Sequence, residues 1–354
     1  MVTFAVSQKG ASHVVSGLPC QDYSLSYESP EKDVQIVVVC DGHGSKIHVR
    51  SDVGARIAAE SAKDMLLQFA ESHKDASVFE KDYGSGTVHT DDHDVDPLWQ
   101  KAKSEDDKNE FENLRAKQLS EYQAQIADHP REEILISELC ARVCEKWKAE
   151  IQNDSAERPF SDSEKESLGA NPLEKAYGTT LMAYMRTPSY WLAIHIGDGR
   201  ILCLEQNGGH NAEQKKNVDW KSLVPWDVNC FQNHTTSLCA SNAVDLFRYA
   251  FGKCDEKMQS PAVVFCCSDG IEDSFGDYEV SPKRLHEFYF KLLKMLIEIG
   301  VNNAKEKMQT GFEKLSEIGS KDDMSLVGVV DFCAAQTLLK KRDKLMSPFA
   351  RRRG

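Results

Sequence analysis

Two periods govern the apolar and polar positions of this chain, and the switches between them mark out its elements. Short runs at "VTFAVS", "SLSYES" and "VQIVVVC" open the sequence. Such runs read as strands, and the third, apolar throughout, reads as a strand covered on both faces. Val53, Ile57, Met65 and Phe69, with Ala58, Ala62 and Leu66 beside them, then recur at helical spacing and predict a helix over about 51–71. A second block of strands begins at Tyr177 with "YGTTLMAYM", "YWLAIHIGDGR" and "ILCLEQN". The last block holds a strand "AVVFCCSDG", helices over about 282–299 and 302–318, and a strand "MSLVGVVDF". In a regular strand the adjacent Cys266 and Cys267 point to opposite faces.

Three stretches break the pattern. Residues from about 72 to 170 read as an insertion: between Lys81 and Glu110 there are nine acidic and four basic residues and few apolar anchors. This first half is expected to be mobile, because low hydrophobicity and excess charge leave too little burial to offset the entropy of ordering. In the second half, "REEILISELCARVCEKWKAEIQ", Ile134, Leu135, Leu139, Val143 and Trp147 lie at helical spacing, which predicts a helix packed back on the domain. Residues from about 208 to 255 are rich in Asn, Lys and Trp and read as a variable, flap-like segment, and 333–354 read as a basic tail. The expected organisation is one domain over 1–332, elaborated by the insertion and the flap.

Composition narrows the class. With 41% hydrophobic and 28% charged residues the chain is that of a soluble globular protein. No run approaches the ~18–20 apolar residues that span a bilayer. The start, "MVTFAVSQKGASH", lacks the basic and apolar regions of a secretory signal, so no membrane association and a cytoplasmic location are expected. The eleven cysteines are odd in number, and Cys40, Cys203, Cys266 and Cys267 lie inside apolar runs, so reduced, buried thiols are expected. A net charge of −13 excludes a general nucleic-acid binder, which needs a basic face, and makes the basic tail a solvated or docking segment.

The recurrent chemical feature is an apolar strand ending in Asp beside Gly: "VVVCDGHG" at Asp41, "AIHIGDGR" at Asp198 and "VVFCCSDG" at Asp269. A fourth, "KDDMSLVGVV", puts Asp322 and Asp323 just before a strand. Each alone reads equally as a turn. If the strand ends converge, their carboxylates form a cluster that cannot stay ionised without cations, and hard oxygen ligands select magnesium, manganese or calcium over zinc. Glycine after the acid, as at Gly42 and Gly270, lets backbone approach a metal.

In this order "CQDYS", "VVVCDGHG", "GTTL", "IGDGR", "SDGIED" and "DDMSLV" resemble the metal-dependent type 2C protein serine/threonine phosphatases (the PPM family). The resemblance covers most of 1–71 and 171–332, and "GASHVVSGLPCQDYS" looks most like a bacterial branch. It implies an α+β fold, a four-layer α-β-β-α sandwich of two antiparallel sheets flanked by helices, with two Mg2+ or Mn2+ ions at one end. Asp41 would bridge both metals, the Gly42 carbonyl would complete the second, and Asp269 and Asp322 would hold the first. Asp22 would act on a metal-bound water, and Asp198 with Asp269 would form a third, weaker position. Asp323 stands where the family often has Asn, which makes it the poorer ligand of its pair. A bridging hydroxide would then attack phosphoserine or phosphothreonine in line, without a covalent enzyme intermediate. A phosphorylated protein is the implied substrate, and a partner kinase is expected.

Several side chains carry two readings. His43, two residues after Asp41, is the candidate general acid for the leaving alkoxide, or a histidine that holds the loop. The better-known members grip phosphate with an Arg near the N-terminus. No Arg precedes Arg50 here, and His13 either takes over that contact or is structural. Lys46 and Arg50 read as solvated helix-start residues or as positive charge near the substrate, "HTDDHDVD" (89–96) as a solvated acidic loop or a metal-binding run, and "GGH" (208–210) as a turn. Against an active protein phosphatase stand a pseudophosphatase that uses the fold to bind a partner, and a hydrolase of a small phosphate ester.

Overall fold

The computed structural model describes residues 1–75, 130–205, 218–225, 227, 229–230, 234–254, 260–275 and 281–346, together with helical positions between 112 and 124. Its strands are β1 (Val2–Gln8), β2 (Tyr23–Glu28), β3 (Gln35–Cys40), β4 (Leu181–Arg186), β5 (Tyr190–Ile196), β6 (Arg200–Leu204), β7 (Lys221–Ser222), β8 (Arg248–Lys253), β9 (Val263–Cys267) and β10 (Met324–Val330). The named helices are α1 (Ala11–Ser16), α2 (Ser51–Ser72), α3 (Pro130–Glu157), α4 (Asp162–Leu168), α5 (Leu173–Ala176), α6 (Ala243–Leu246), α7 (Asp269–Asp273), α8 (Ser281–Ile299), α9 (Val301–Ile318) and α10 (Phe332–Met346).

The strands form two five-stranded sheets, ordered β1-β10-β9-β6-β7 and β2-β3-β4-β5-β8, with every pairing antiparallel. The period-two alternation explains why β3 tolerates no charge. Val37 and Val39 face the other sheet and, with Met182 and Tyr184 of the neighbouring β4, join Ile201, Val264 and Val327 of that sheet in one core. Ile36, Val38 and Cys40 face outward onto α2 and α3. Cys266 lies between the sheets and Cys267 on the opposite side against α8 and α9, as adjacent strand residues must. Phe4, Val6, Phe265 and Leu326 cover the outer face of the first sheet beneath Tyr289, Leu293, Met308 and Phe312. The result is the α-β-β-α sandwich.

Small residues set the helix distances. Ala55, Ala58, Ala59 and Ala62 are fully buried and let α2 lie close to its sheet, and α3 packs against α2 through Leu139, Val143, Trp147 and Ile151. The second half of the insertion is therefore part of the core.

Two boundaries differ from the sequence reading. Arg248–Lys253, inside the expected flap, is a strand paired with β5 from Tyr190↔Lys253 to His195↔Arg248. Its Arg, Gly and Lys mask the apolar pattern, which an edge position tolerates. Residues 333–346, assigned to the tail by charge, belong to α10, which buries Ala335, Leu338 and Leu339 and lays Arg342 over the Phe290 ring of α8 beside Glu287. The first half of the insertion (76–111), the "HTDDHDVD" run, "GGH" and 347–354 lie outside the described residues. Among the described residues no helix is long and apolar enough to cross a membrane.

Candidate active site

Antiparallel register brings the Asp-bearing strand ends together. Cys40 pairs with Tyr23, Leu181 with Ile196, Arg200 with Cys267, and Gln8 with Met324, so the residues just beyond these pairs share one end of the sandwich. That end carries Asp22, Asp41, Asp198, Asp269, Asp322 and Asp323, drawn from positions up to 301 residues apart (323 minus 22).

Each acid is held differently. The Asp41 N–H donates to Thr180 Oγ1 at 3.0 Å, and its carbonyl accepts from Thr179 Oγ1 and the Thr180 N–H, both at 2.8 Å. The "GTT" motif is thus the clamp on the Asp41 backbone. Gly42 bridges to Thr179, and a Cβ there would stand 2.6 Å from the Gln21 carbonyl oxygen and 2.7 Å from that of Ser51, so only glycine fits. At Gly270 a Cβ would meet the Asp323 carbonyl oxygen at 2.1 Å, which packs the start of α7 onto the start of β10. Ser268 Oγ donates to Asp22 Oδ2 at 2.7 Å, and Thr235 Oγ1 donates to Asp198 Oδ2.

The electrostatics are those of crowded carboxylates. Burial first, then Asp22, Asp269 and Asp198, push the Asp41 carboxyl well above its usual range. Burial, then Asp198 and Asp273, do the same to Asp269. Asp22 is pushed up to about 7, by burial and then by Asp323. Asp198 and Asp322 are raised, chiefly by burial. Asp269 Oδ1 is buried without a hydrogen-bond partner. Among the described residues no three His, Cys, Asp or Glu side chains already stand in ligating geometry around one point. The donor set nevertheless suits a hard divalent cation: all oxygen, crowded, with one buried carboxylate oxygen unsatisfied.

Other expected residues take different places. Asp323 is saturated: Oδ1 accepts from Gly10 N–H at 2.6 Å, and Oδ2 accepts from Gln21 N–H at 2.6 Å and meets His13 Nδ1 at 2.9 Å. Its neighbour Asp322 is more exposed, and among the described hydrogen bonds its carboxylate accepts only from the Asp323 N–H, at 2.8 Å. His13 is buried, with Nδ1 on Asp323.

His43 puts Nε2 on Ser237 Oγ at 2.7 Å, donates its N–H to the Gly178 carbonyl at 3.1 Å and packs on the His48 ring. Burial, then His48 and Lys175, push its imidazole down to about 3. A neutral ring has no proton to give beyond the one its tautomer needs, and nearby cations would lower it further. The geometry therefore favours the loop-holding reading of His43 over the general acid.

Lys46 is exposed as expected, but Arg50 is buried and fully partnered. Thr179, Thr235, Ser237 and Ser268 escaped the sequence reading. Only the "GTT" in front of a strand was a usable signal, because isolated Ser and Thr are too common to mark a site.

A family model described as Protein phosphatase 2C matches residues 9–311. In structure the chain is similar to the Mycobacterium tuberculosis serine/threonine phosphatase PstP/Ppp, at 11% identity and a TM-score of 0.43, with 93% of this chain and 98% of that one covered. It is similar to the S. agalactiae serine/threonine phosphatase at 13% identity and a TM-score of 0.42, with 93% and 99% covered. Against the serine/threonine phosphatase Stp1 from Staphylococcus aureus the identity is 11% and the TM-score 0.39, with 93% and 94% covered. No curated protein matches the chain.

Proposed function

The chain belongs to the protein phosphatase 2C family of protein serine/threonine phosphatases, and on that premise we propose that it hydrolyses phosphoserine and phosphothreonine in proteins with the help of divalent cations held at the acidic end of the sandwich. One observation carries the metal dependence: Asp22, Asp269 and Asp198 crowd the Asp41 carboxyl, while Asp269 Oδ1 is buried with no hydrogen-bond partner. Such a cluster is relieved by cations.

Asp41, the Gly42 carbonyl, Asp269 and Asp322 would hold two ions, magnesium or manganese, with Asp198 and Asp269 offering a third, weaker position. Ions bound there supply Lewis acidity toward a phosphate ester and activate water for in-line displacement. The chain's own residues orient and gate protons. Thr179 and Thr180 fix the Asp41 backbone, Ser268 orients Asp22, and Thr235 orients Asp198. Asp22, pushed up to about 7, can take or release a proton at neutral pH. His13, its other nitrogen fixed by Asp323, offers Nε2 to a phosphate oxygen. His43 keeps the Asp41 loop closed against Ser237.

Manganese-dependent phosphate release from a phosphothreonine peptide tests this, with wild type and Asp269→Asn compared. Turnover by the wild type, abolished by chelator and by Asp269→Asn, is expected. No turnover across several peptides together with no manganese binding by calorimetry would leave a partner-binding relative of the family. Far higher turnover of a nucleotide or sugar phosphate would move the substrate class to small esters.

A further inference from the structure

Arg50 follows the Asp41 loop by nine positions (50 minus 41), caps the start of α2 and is only 8% exposed. Its partners come from the inserted segment and from the residues just before β4 that lead into the Asp41 clamp. Nε and Nη2 make a two-pronged contact with Glu164 at 2.8 and 3.3 Å, and Nη1 donates to the Arg158 carbonyl at 2.6 Å and to Tyr177 Oη at 3.1 Å. The guanidinium also lies 4.0 Å over the Phe160 ring and 3.5 Å from Asp154 Oδ2. Glu164 is itself fixed by a reciprocal cap with Ser161 at the start of α4.

Tyr177 is the second half of the device. It is fully buried, and its hydroxyl donates to Asp154 Oδ2 of α3 at 2.7 Å. The next residues are the clamp itself: Gly178 accepts from the His43 N–H, and Thr179 and Thr180 hold the Asp41 carbonyl. The Arg50 N–H adds a 2.8 Å bond to the Ala176 carbonyl. At Gly54 a Cβ would stand 2.0 Å from the Tyr177 carbonyl oxygen, and Trp147 of α3 donates to the Gly54 carbonyl at 3.2 Å, so this backbone is pressed between α2 and the insertion.

We propose that Arg50 and Tyr177 are positioning residues for the Asp41 loop, braced from outside by Asp154 and Glu164 of the inserted helices, so that the insertion sets the geometry of the proposed metal site. The inference rests on the reading of Asp41 as a metal ligand. Its physical content is leverage: each brace is part-buried and multiply bonded, so a shift of α3 or α4 moves residues 177–180 and with them Asp41.

The full chain carries the test, with Tyr177→Phe, Glu164→Gln and Arg50→Met. Amide hydrogen exchange reads the loop directly, since the His43 and Thr180 N–H groups bond within the clamp. Faster exchange confined to 41–43 and 178–180, with β9 and β10 unchanged, is expected. With it should come manganese binding weakened by about 10-fold or more and a fall in kcat with KM for the peptide little changed. Unaltered exchange in these segments, or a lowered melting temperature as the sole effect, would overturn the inference. A wild type that neither binds manganese nor releases phosphate fails the functional reading instead, and the exchange data still decide whether the brace exists.

Discussion

Among single residues, those with the most hydrogen bonds around the acidic end are not the ones proposed to do the chemistry. Asp323 accepts from Gly10, Gln21 and His13 and so pins the N-terminal segment to the start of β10. Asp323→Ala would leave these donors buried and unpaired, and is expected to destabilise the fold by about 3 kcal/mol in urea denaturation. A change within error would show that water replaces the carboxylate. His43 makes the opposite point, because proximity to Asp41 suggested an acid while its partner, Ser237, is 194 residues away in sequence (237 minus 43). His43→Ala is expected to lower turnover modestly and leave the shape of the kcat pH profile unchanged. Loss of a basic limb in that profile would restore the general-acid role. Asp41 and Asp269 could be read from sequence because an apolar strand delivers each one. Thr235 and Ser237 could not, since what makes them useful is a fold contact.

The elements show the same division. β3 and β9 are legible from their runs, and α2 and α3 from their stripes, because burial on a sheet demands a period that survives in the sequence. β8 was hidden by Arg248 and Lys253, and Arg248 is buried where it pairs with Asp227 at 3.5 Å and donates to the Gly197 carbonyl at 3.2 Å. Charge at a sheet edge reads as loop until a partner is known. The inserted helix α3 is structural rather than appended: Trp147 is fully buried and donates to the Gly54 carbonyl of α2. Trp147→Ala is expected to cost about 3–5 kcal/mol and to shift the denaturation midpoint without changing its slope. A loss below about 1 kcal/mol would mean that α3 packs only loosely.

At the scale of the whole molecule, the acidic end links folding to pH and to cations. The carboxyls of Asp22, Asp41, Asp198, Asp269 and Asp322 are all raised in the folded protein. Groups raised on folding contribute stability that is full below their unfolded value of about 4 and is lost as pH climbs through the folded one, about 7 for Asp22. With chelator present, the melting temperature should fall between pH 5 and pH 8. Manganese at 100 times its dissociation constant should restore about 2.7 kcal/mol at the upper end. A melting temperature flat across that window, or indifferent to manganese, would contradict the crowded-carboxylate account. By itself the sequence determined the apolar strands, the main helices, the order of the Asp-Gly ends and the resemblance they carry, because strand period and motif order are local and survive in one dimension. Only the tertiary structure decided which acids crowd together, that Asp323 is spent on hydrogen bonds, that His43 meets Ser237, and that Arg50 contacts Asp154, Arg158 and Glu164 of the insertion. Those outcomes depend on burial and on partners from distant segments, which no spacing along the chain encodes.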